Sequence, residues 1–234
     1  MSVNGRPVPV VLAAGLGSRL GGRPKALFEL DGRTLLDRCA ERLAEAGFES
    51  MVVMTGHGAG DVESYWASEP RAVAATFVHN PRYAELNNFY TLEVACRECA
   101  PGALMALNSD IVLAPGVIER ATQAAADLVL VVEPGQIDDE ALGVRVEGER
   151  PLELGKHLDT NEFIGVSILS PRGRDAYVAE SERALAAERT NLYYEDVFSA
   201  ICGSVDATIV PTPPATWAEI DVPEDLPGAR AVIG

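Results

Sequence analysis

Basic residues are scarce in this 234-residue chain: 19 Lys plus Arg stand against 35 Asp plus Glu, for a formal net charge of -16. Such an acidic surface repels phosphate backbones and anionic lipid, which argues against nucleic acid and membranes as partners. Apolar runs are short. The longest early one, Val8 to Ala14, falls well below the ~20 residues that span a bilayer, and no basic stretch of a secretory signal precedes it, so a cytoplasmic location is expected. Four cysteines (Cys39, Cys96, Cys99 and Cys202) are too few for a disulfide scaffold at this length. Cys96-x-x-Cys99 lacks the second pair a zinc site needs, so the thiols read as reduced packing groups. The three histidines, His57, His79 and His157, have no ligand spacing and read as structural or surface residues, with His157 notable only for its neighbour Lys156. Internal repeats, low-complexity tracts and Gly/Pro-rich linkers are also missing, which predicts one domain over residues 1–234.

What is present is a folded α/β pattern. Hydrophobic residues make up 47% and charged residues 23%, near the averages for globular chains. Val8 to Ala14 is a continuous β-branched apolar run followed by glycine, as expected for a strand buried on both faces of a parallel sheet. Thr34 opens a helix whose apolar positions Leu35, Leu36, Cys39, Ala40 and Leu43 share one face, and Gly47 stops it. Strands are predicted at Met51 to Met54, Ala74 to Val78, Leu104 to Leu107 and Leu128 to Val132, with an acidic helix from Asp61 between the first two. The alternation implies a parallel sheet covered by helices on both sides. Leu142 to Val146 and Phe163 to Leu169 have no helix between them, which predicts antiparallel strands added in the second half. Helices around 172–187 and 193–202 and a strand at Thr208 to Pro211 complete the pattern.

The chemistry concentrates first in LAAGLGSRLGGRPKAL, residues 12–27. Glycines after a buried strand let backbone N–H groups approach phosphate oxygens closely. The segment is not a Walker A loop, because Arg23-Pro24 stands where Lys-Ser/Thr is required. It is a poor dinucleotide fingerprint as well, because Leu20 occupies the third glycine position, and this disfavours an NAD-binding domain. Lys25 is one of only two lysines, the other being Lys156, in a chain that otherwise uses arginine. A compact ammonium suits a phosphate oxygen at close quarters.

With these residues in view, AAGxGxRL followed by PKAL resembles the signature of the sugar-phosphate and cytidylyl nucleotidyltransferase superfamily. Residues 80–92, NPRYAELNNFYTL, are similar to the corresponding segment of its phosphocholine or phosphonate cytidylyltransferase branch, and the similarity runs from about residue 8 to residue 227. The resemblance implies a Rossmann-like three-layer α/β sandwich with a mixed, mostly parallel sheet, the GT-A-like nucleotidyltransferase fold. It implies that Leu12, Ala13, Ala14, Gly15, Gly17, Ser18, Arg19, Lys25 and Asn108 bind the nucleotide, with Arg19 and Lys25 acting in catalysis on the triphosphate. Asp110, at a predicted strand end in LNSD, and Asp221, in WAEIDVPEDL, match the family's metal carboxylates. Two hard oxygen ligands suit Mg²⁺, the implied cofactor.

The implied reaction moves CMP from CTP to a small phosphomonoester or phosphonate and releases pyrophosphate. Asn87, Asn88, Tyr90, Lys156, Tyr194, Glu195 and Trp217 are the candidate acceptor residues. Two acceptor chemistries compete. Rings with a nearby carboxylate would hold a quaternary ammonium, whereas Arg82, Lys156 or His157 would hold an anionic phosphonate. A nucleotidyltransferase making an NDP-sugar from a sugar 1-phosphate and a catalytically silent nucleotide-binding regulator are the alternatives. The oligomeric state is not legible in the sequence.

Overall fold

The structure is a computed structural model that describes residues 5–15, 22–137 and 141–233. In chain order the first half contains β1 (Val8–Ala13), β2 (Glu29–Leu30), β3 (Arg33–Thr34), α1 (Leu35–Glu45), β4 (Ser50–Thr55), α2 (Ala59–Ala67), β5 (Ala74–His79), α3 (Asn88–Glu98), β6 (Leu104–Asn108), β7 (Ile111–Leu113) and α4 (Val117–Ala121). The second half contains β8 (Leu128–Gln136), β9 (Gly143–Glu147), β10 (Arg150–Gly155), β11 (Thr160–Leu169), α5 (Pro171–Ala186), α6 (Tyr194–Ile201), β12 (Ala207–Pro211), β13 (Trp217–Glu219) and α7 (Leu226–Ile233).

Local chemistry accounts for the element boundaries. Thr34 caps α1 in a capping box, its side chain accepting from the Asp37 N–H at 3.1 Å while the Asp37 carboxylate accepts from the Thr34 N–H. Gly47 follows α1 at φ +80°, the left-handed conformation that ends helices. Ser170 caps α5 through the Gly173 N–H, with Pro171 in the first turn.

Strands β5, β4, β1 and β6 are parallel neighbours in that order. β11 pairs antiparallel with β6 and also antiparallel with β8, and β12 runs parallel beside β8. The antiparallel additions expected in the second half are therefore present as β11 and the β9–β10 hairpin. Both faces of the sheet are buried. Val10, Ala106, Leu130 and Val132 face α3, α5 and α6 through Phe89, Leu92, Tyr177 and Phe198. Val11, Leu107, Val129 and Val131 face α1, α2 and α4 through Leu36, Leu43, Val62, Trp66 and Ile118. The period-2 alternation of a strand thus feeds two helical layers, which is why β1 reads as a continuous apolar run. A smaller cluster (Leu30, Leu35, Val112, Ile220, Ala229 and Val232) seats α7 on the β7–β13 ribbon. All four cysteines are buried and unpaired with one another. Among the described residues no helix is long and apolar enough to cross a membrane.

Candidate active site

The chain passes from β1 to β4 to β5 along one side of the sheet, then crosses to β6 on the other side of β1. Where the direction of winding reverses, the loops after the two central strands diverge and leave a crevice at their carboxyl ends. Here the crevice lies beyond Ala13 and Asn108. Leu12 sits opposite Asn108, and Ala13 sits opposite Thr55 of β4. The glycine-rich segment therefore leaves the sheet at the switch point. Its Gly17, Ser18 and Arg19 lie outside the described residues, while Leu12, Ala13, Ala14 and Gly15 form the end of β1 and its exit.

Three charged side chains converge there from distant parts of the chain. Pro24 precedes a single 3-10 turn, Lys25–Leu27, anchored by the buried Ala26 and Leu27, while the Lys25 side chain stays partly exposed. Lys25 Nζ donates to Asp110 Oδ2 at 2.9 Å and also to Asp221 Oδ1. Asp110 stands just after β6. The antiparallel β7–β13 pair brings the second carboxylate to it: Glu219 lies opposite Ile111, and the Ile220 N–H donates to the Asp110 carbonyl at 2.9 Å. Asp225 then accepts from the backbone N–H groups of Asp221 and Val222 at 2.8 and 2.9 Å, which fixes the turn that carries Asp221.

A third carboxylate joins them. Oxygens of Asp110, Glu219 and Asp221 all lie within 4.8 Å of one another. Glu219 is absent from the residues singled out in the sequence, yet a signal for it exists: Glu219 and Asp221 are i and i+2 in an extended segment, and such residues share a face. Although the Glu219 residue remains exposed to solvent, desolvation of its carboxyl group, followed by the charges of Asp110 and Asp221, pushes that group up to about 8. Burial alone would lower the Lys25 pKa, but the charges and hydrogen bonds of Asp110 and Asp221 outweigh it and raise the ammonium above its ordinary value. Among the described residues, Asp110 Oδ1 is buried without a hydrogen-bond partner. An orphaned carboxylate oxygen beside two further hard oxygen donors fits a magnesium-type ion.

Asn108 is held from two sides. Its Oδ1 accepts from the Tyr194 hydroxyl at 2.8 Å. A Cβ on Gly165, which has φ +78°, would lie 2.7 Å from Asn108 Nδ2. Gly165 sits where the β11–β8 register is interrupted between Phe163 and Ser167, a bulge beside the crevice.

The candidate acceptor residues occupy different settings. Asn88 Oδ1 accepts from the Tyr194 N–H at 2.9 Å, tying the starts of α3 and α6 together. Asn87 caps α3 and donates to Asn191 Oδ1 at 3.1 Å. Tyr194 is buried against Phe163 and Phe198. Tyr90 lies under the Arg82 guanidinium at 5.5 Å, and Trp217 Nε1 donates to Glu133 Oε2 at 2.8 Å. Among the described residues these three rings make no contact with one another. Lys156 is exposed on the turn between β10 and β11. Burial, with Asp196 and Asp110 adding repulsion, pushes the Glu195 carboxyl up to about 7, although hydrogen bonds act to lower it, and its Oε2 is buried without a partner among the described residues.

Comparison with known proteins agrees with this fold. A bifunctional IPC transferase and DIPP synthase from Rubrobacter xylanophilus is 30% identical over 223 residues, covering 92% of this chain and 49% of that protein. The chain thus spans about half the length of such relatives. A 2-aminoethylphosphonate cytidylyltransferase from Lancefieldella rimae is 24% identical, covering 93% of this chain and 89% of its own length. The solved structure of the inositol-1-phosphate CTP transferase from T. maritima superposes with a TM-score of 0.80 at 21% identity, covering 98% of this chain and 97% of that one, and has the same fold. The family model described as the MobA-like NTP transferase domain matches residues 9–187, and the chain belongs to that family.

Proposed function

We propose that the protein is a magnesium-dependent cytidylyltransferase, built as one domain over residues 1–234, that transfers CMP from CTP to a small phosphomonoester or phosphonate. The observation that carries this reading is Lys25 bridging Asp110 and Asp221 at the switch-point crevice. A cation for phosphate oxygens thereby stands against carboxylates for a metal, on the strand ends where the glycine-rich segment leaves the sheet.

In the reaction an acceptor oxygen forms a bond to the α-phosphorus while the bond to pyrophosphate breaks, and pyrophosphate leaves with the electron pair. A phosphomonoester's second pKa is ~6, so the nucleophile is already anionic near neutrality and needs no general base. Asp110 and Asp221 would hold a magnesium ion, which would supply charge neutralisation to the phosphate oxygens. The protein's own part is positioning and charge: Lys25 and Arg19 neutralise the triphosphate, and Asn108, oriented by Tyr194, meets the nucleotide side of the crevice. Glu195, whose buried Oε2 has no hydrogen-bond partner among the described residues, offers a carboxylate oxygen to an acceptor with a cationic head, an aminoalkylphosphonate or phosphocholine, which a neutral polyol phosphate would not use.

The test is pyrophosphate release with Mg²⁺ and CTP against 2-aminoethylphosphonate, phosphocholine, inositol 1-phosphate, phosphonoformate and sugar 1-phosphates, with UTP, ATP and GTP as nucleotide controls. Turnover confined to CTP and one acceptor is expected. Turnover confined to UTP and a sugar phosphate would reassign the protein to NDP-sugar synthesis, and tight CTP binding without turnover would favour the silent regulator.

A further inference from the structure

After Thr55 ends β4 the chain reads Gly56-His57-Gly58, and His57 has no role in the proposed reaction. Its surroundings give it one. The backbone N–H of His57 donates to the Ala14 carbonyl at 3.4 Å, at the point where the chain leaves β1. The ring Nε2 of the same residue lies 2.9 Å from the Gly22 carbonyl oxygen. A carbonyl oxygen only accepts, so Nε2 carries the proton and donates. One residue therefore ties down both ends of the glycine-rich segment.

The flanking glycines allow this approach. A Cβ on Gly56 would lie 2.6 Å from the Ala14 carbonyl oxygen and 2.7 Å from Tyr83 Cβ, and a Cβ on Gly58 would lie 2.5 Å from Pro24 Cγ. Any other residue at either position would push the tripeptide off the segment it braces. The imidazole is backed by the Tyr83 ring, with centroids 6.5 Å apart, and Tyr83 in turn meets His79 edge-on at 5.9 Å.

We propose that His57 is a positioning residue for nucleotide binding, joining Ala14 to Gly22 so that the separation of the loop's ends is set before the triphosphate arrives. This rests on the reading that residues 15–22 bind nucleotide. Holding the ends of a loop in advance removes part of the ordering cost from the binding step, so loss of the clip weakens ground state and transition state together. The effect belongs in CTP affinity and not in kcat.

The test compares His57→Ala, His57→Gln and His57→Asn in the full chain. Mg²⁺–CTP affinity is read by calorimetry, and KM for CTP, KM for the acceptor and kcat by pyrophosphate release. A single hydrogen bond of this kind makes a difference of about two- to tenfold. His57→Ala should raise the CTP Kd by about that factor, with kcat and acceptor KM unchanged and the nucleotide-free Tm within a few degrees of wild type. Glutamine can place an amide N–H near the position of Nε2 and should restore most of the affinity. Asparagine reaches only the position of Nδ1 and should behave like alanine. Because glutamine and asparagine differ only in reach, the comparison holds even where the alanine variant folds poorly. Equal CTP affinities for the glutamine and asparagine variants, or a fall in kcat at unchanged affinity, would overturn the role of His57. A wild-type protein that binds none of the four nucleotides would instead overturn the functional reading on which that role rests.

Discussion

Replacing Lys25 with methionine tests the centre of the site, because it keeps most of the side-chain volume and removes only the charge. The ammonium lies 2.9 Å from Asp110 Oδ2, and side-chain exposures are 22% for Lys25, 16% for Asp110 and 32% for Asp221. At an effective dielectric constant of ~20 the gross attraction to Asp110 alone is about 6 kcal/mol, of which desolvation of the ammonium cancels the larger part. A net loss of about 2 kcal/mol follows once Asp110, Glu219 and Asp221 face one another uncompensated. For a chain of this size that lowers Tm by roughly 4–8 °C. The raised Lys25 pKa makes this contribution complete below the unfolded value of ~10.5 and lost as pH rises through the folded value, so the gap to wild type should hold from pH 7 to 9 and narrow above ~10.5. Added Mg²⁺ should recover part of the lost Tm in the variant by taking up the freed carboxylates. Turnover should fall about 10²–10³-fold, the typical cost of removing one preorganised charge-stabilising donor. Differential scanning fluorimetry across pH and a pyrophosphate assay measure both. A variant that kept its turnover within threefold of wild type and its Tm within a degree would refute the reasoning.

Three other substitutions probe what surrounds this centre. Glu195 has a carboxyl raised from 4.5 to about 7, so its cost to the fold is absent below ~4.5 and complete above ~7. Glu195→Gln should therefore match wild type in Tm at pH 4.5 and exceed it by about 1–3 kcal/mol of stability at pH 8, and a pH-independent difference would argue against burial as the cause. Gly165→Ala would force an L-residue into φ +78° and drive a Cβ against Asn108 Nδ2; a loss of at least about 1 kcal/mol with weakened nucleotide binding is expected, and calorimetry showing unchanged CTP affinity would separate Asn108 from the nucleotide. The buried guanidinium of Arg174 donates to the carbonyls of Cys96, Cys99, Ala100 and Gly102 at the end of α3. Lysine has no planar fork to replace these bonds, so Arg174→Lys should cost about 2–4 kcal/mol in chemical denaturation while leaving KM values unchanged.

How much of this could be read in advance follows from the range of the interactions. Strands and helices whose pattern is local were legible. The run from Val8 to Ala14, the Thr34 cap and the Gly47 stop each announce themselves within a few residues, and each appears in the structure within a residue or two. The β10 strand was not, because Arg150 to Gly155 alternates poorly and its extended form is imposed by pairing with β9. Helix α7 was not either, because a short segment becomes helical by packing Ala229 and Val232 into a cluster whose other members come from β2, α1, β7 and the turn after β13. The same division runs through the site. Lys25 stood out because lysine is rare here, and the pairing of Asp110 with Asp221 on one metal is implied by resemblance, whereas no local pattern brings the two carboxylates together.

Their meeting depends on β13 pairing with β7 across more than a hundred residues, and that pairing also delivers Glu219, whose sign in the sequence is its i, i+2 relation to Asp221. The aromatic residues, one of the two acceptor chemistries left open by the sequence, show the same dependence on the fold. Tyr90, Tyr194 and Trp217 cluster in motifs along the sequence, yet the fold spends them separately: one under an arginine, one in the core holding Asn108, and one on Glu133. A sequence motif names residue types, whereas a cage needs ring faces turned toward a common point, and that orientation is a property of the sheet and helices beneath. His57 makes the same point from the other side. Nothing about an isolated histidine between two glycines suggests a bond to both ends of a loop more than thirty residues away; only the adjacency of β1 and β4, with Ala13 beside Thr55, places its backbone and its ring at the two ends at once.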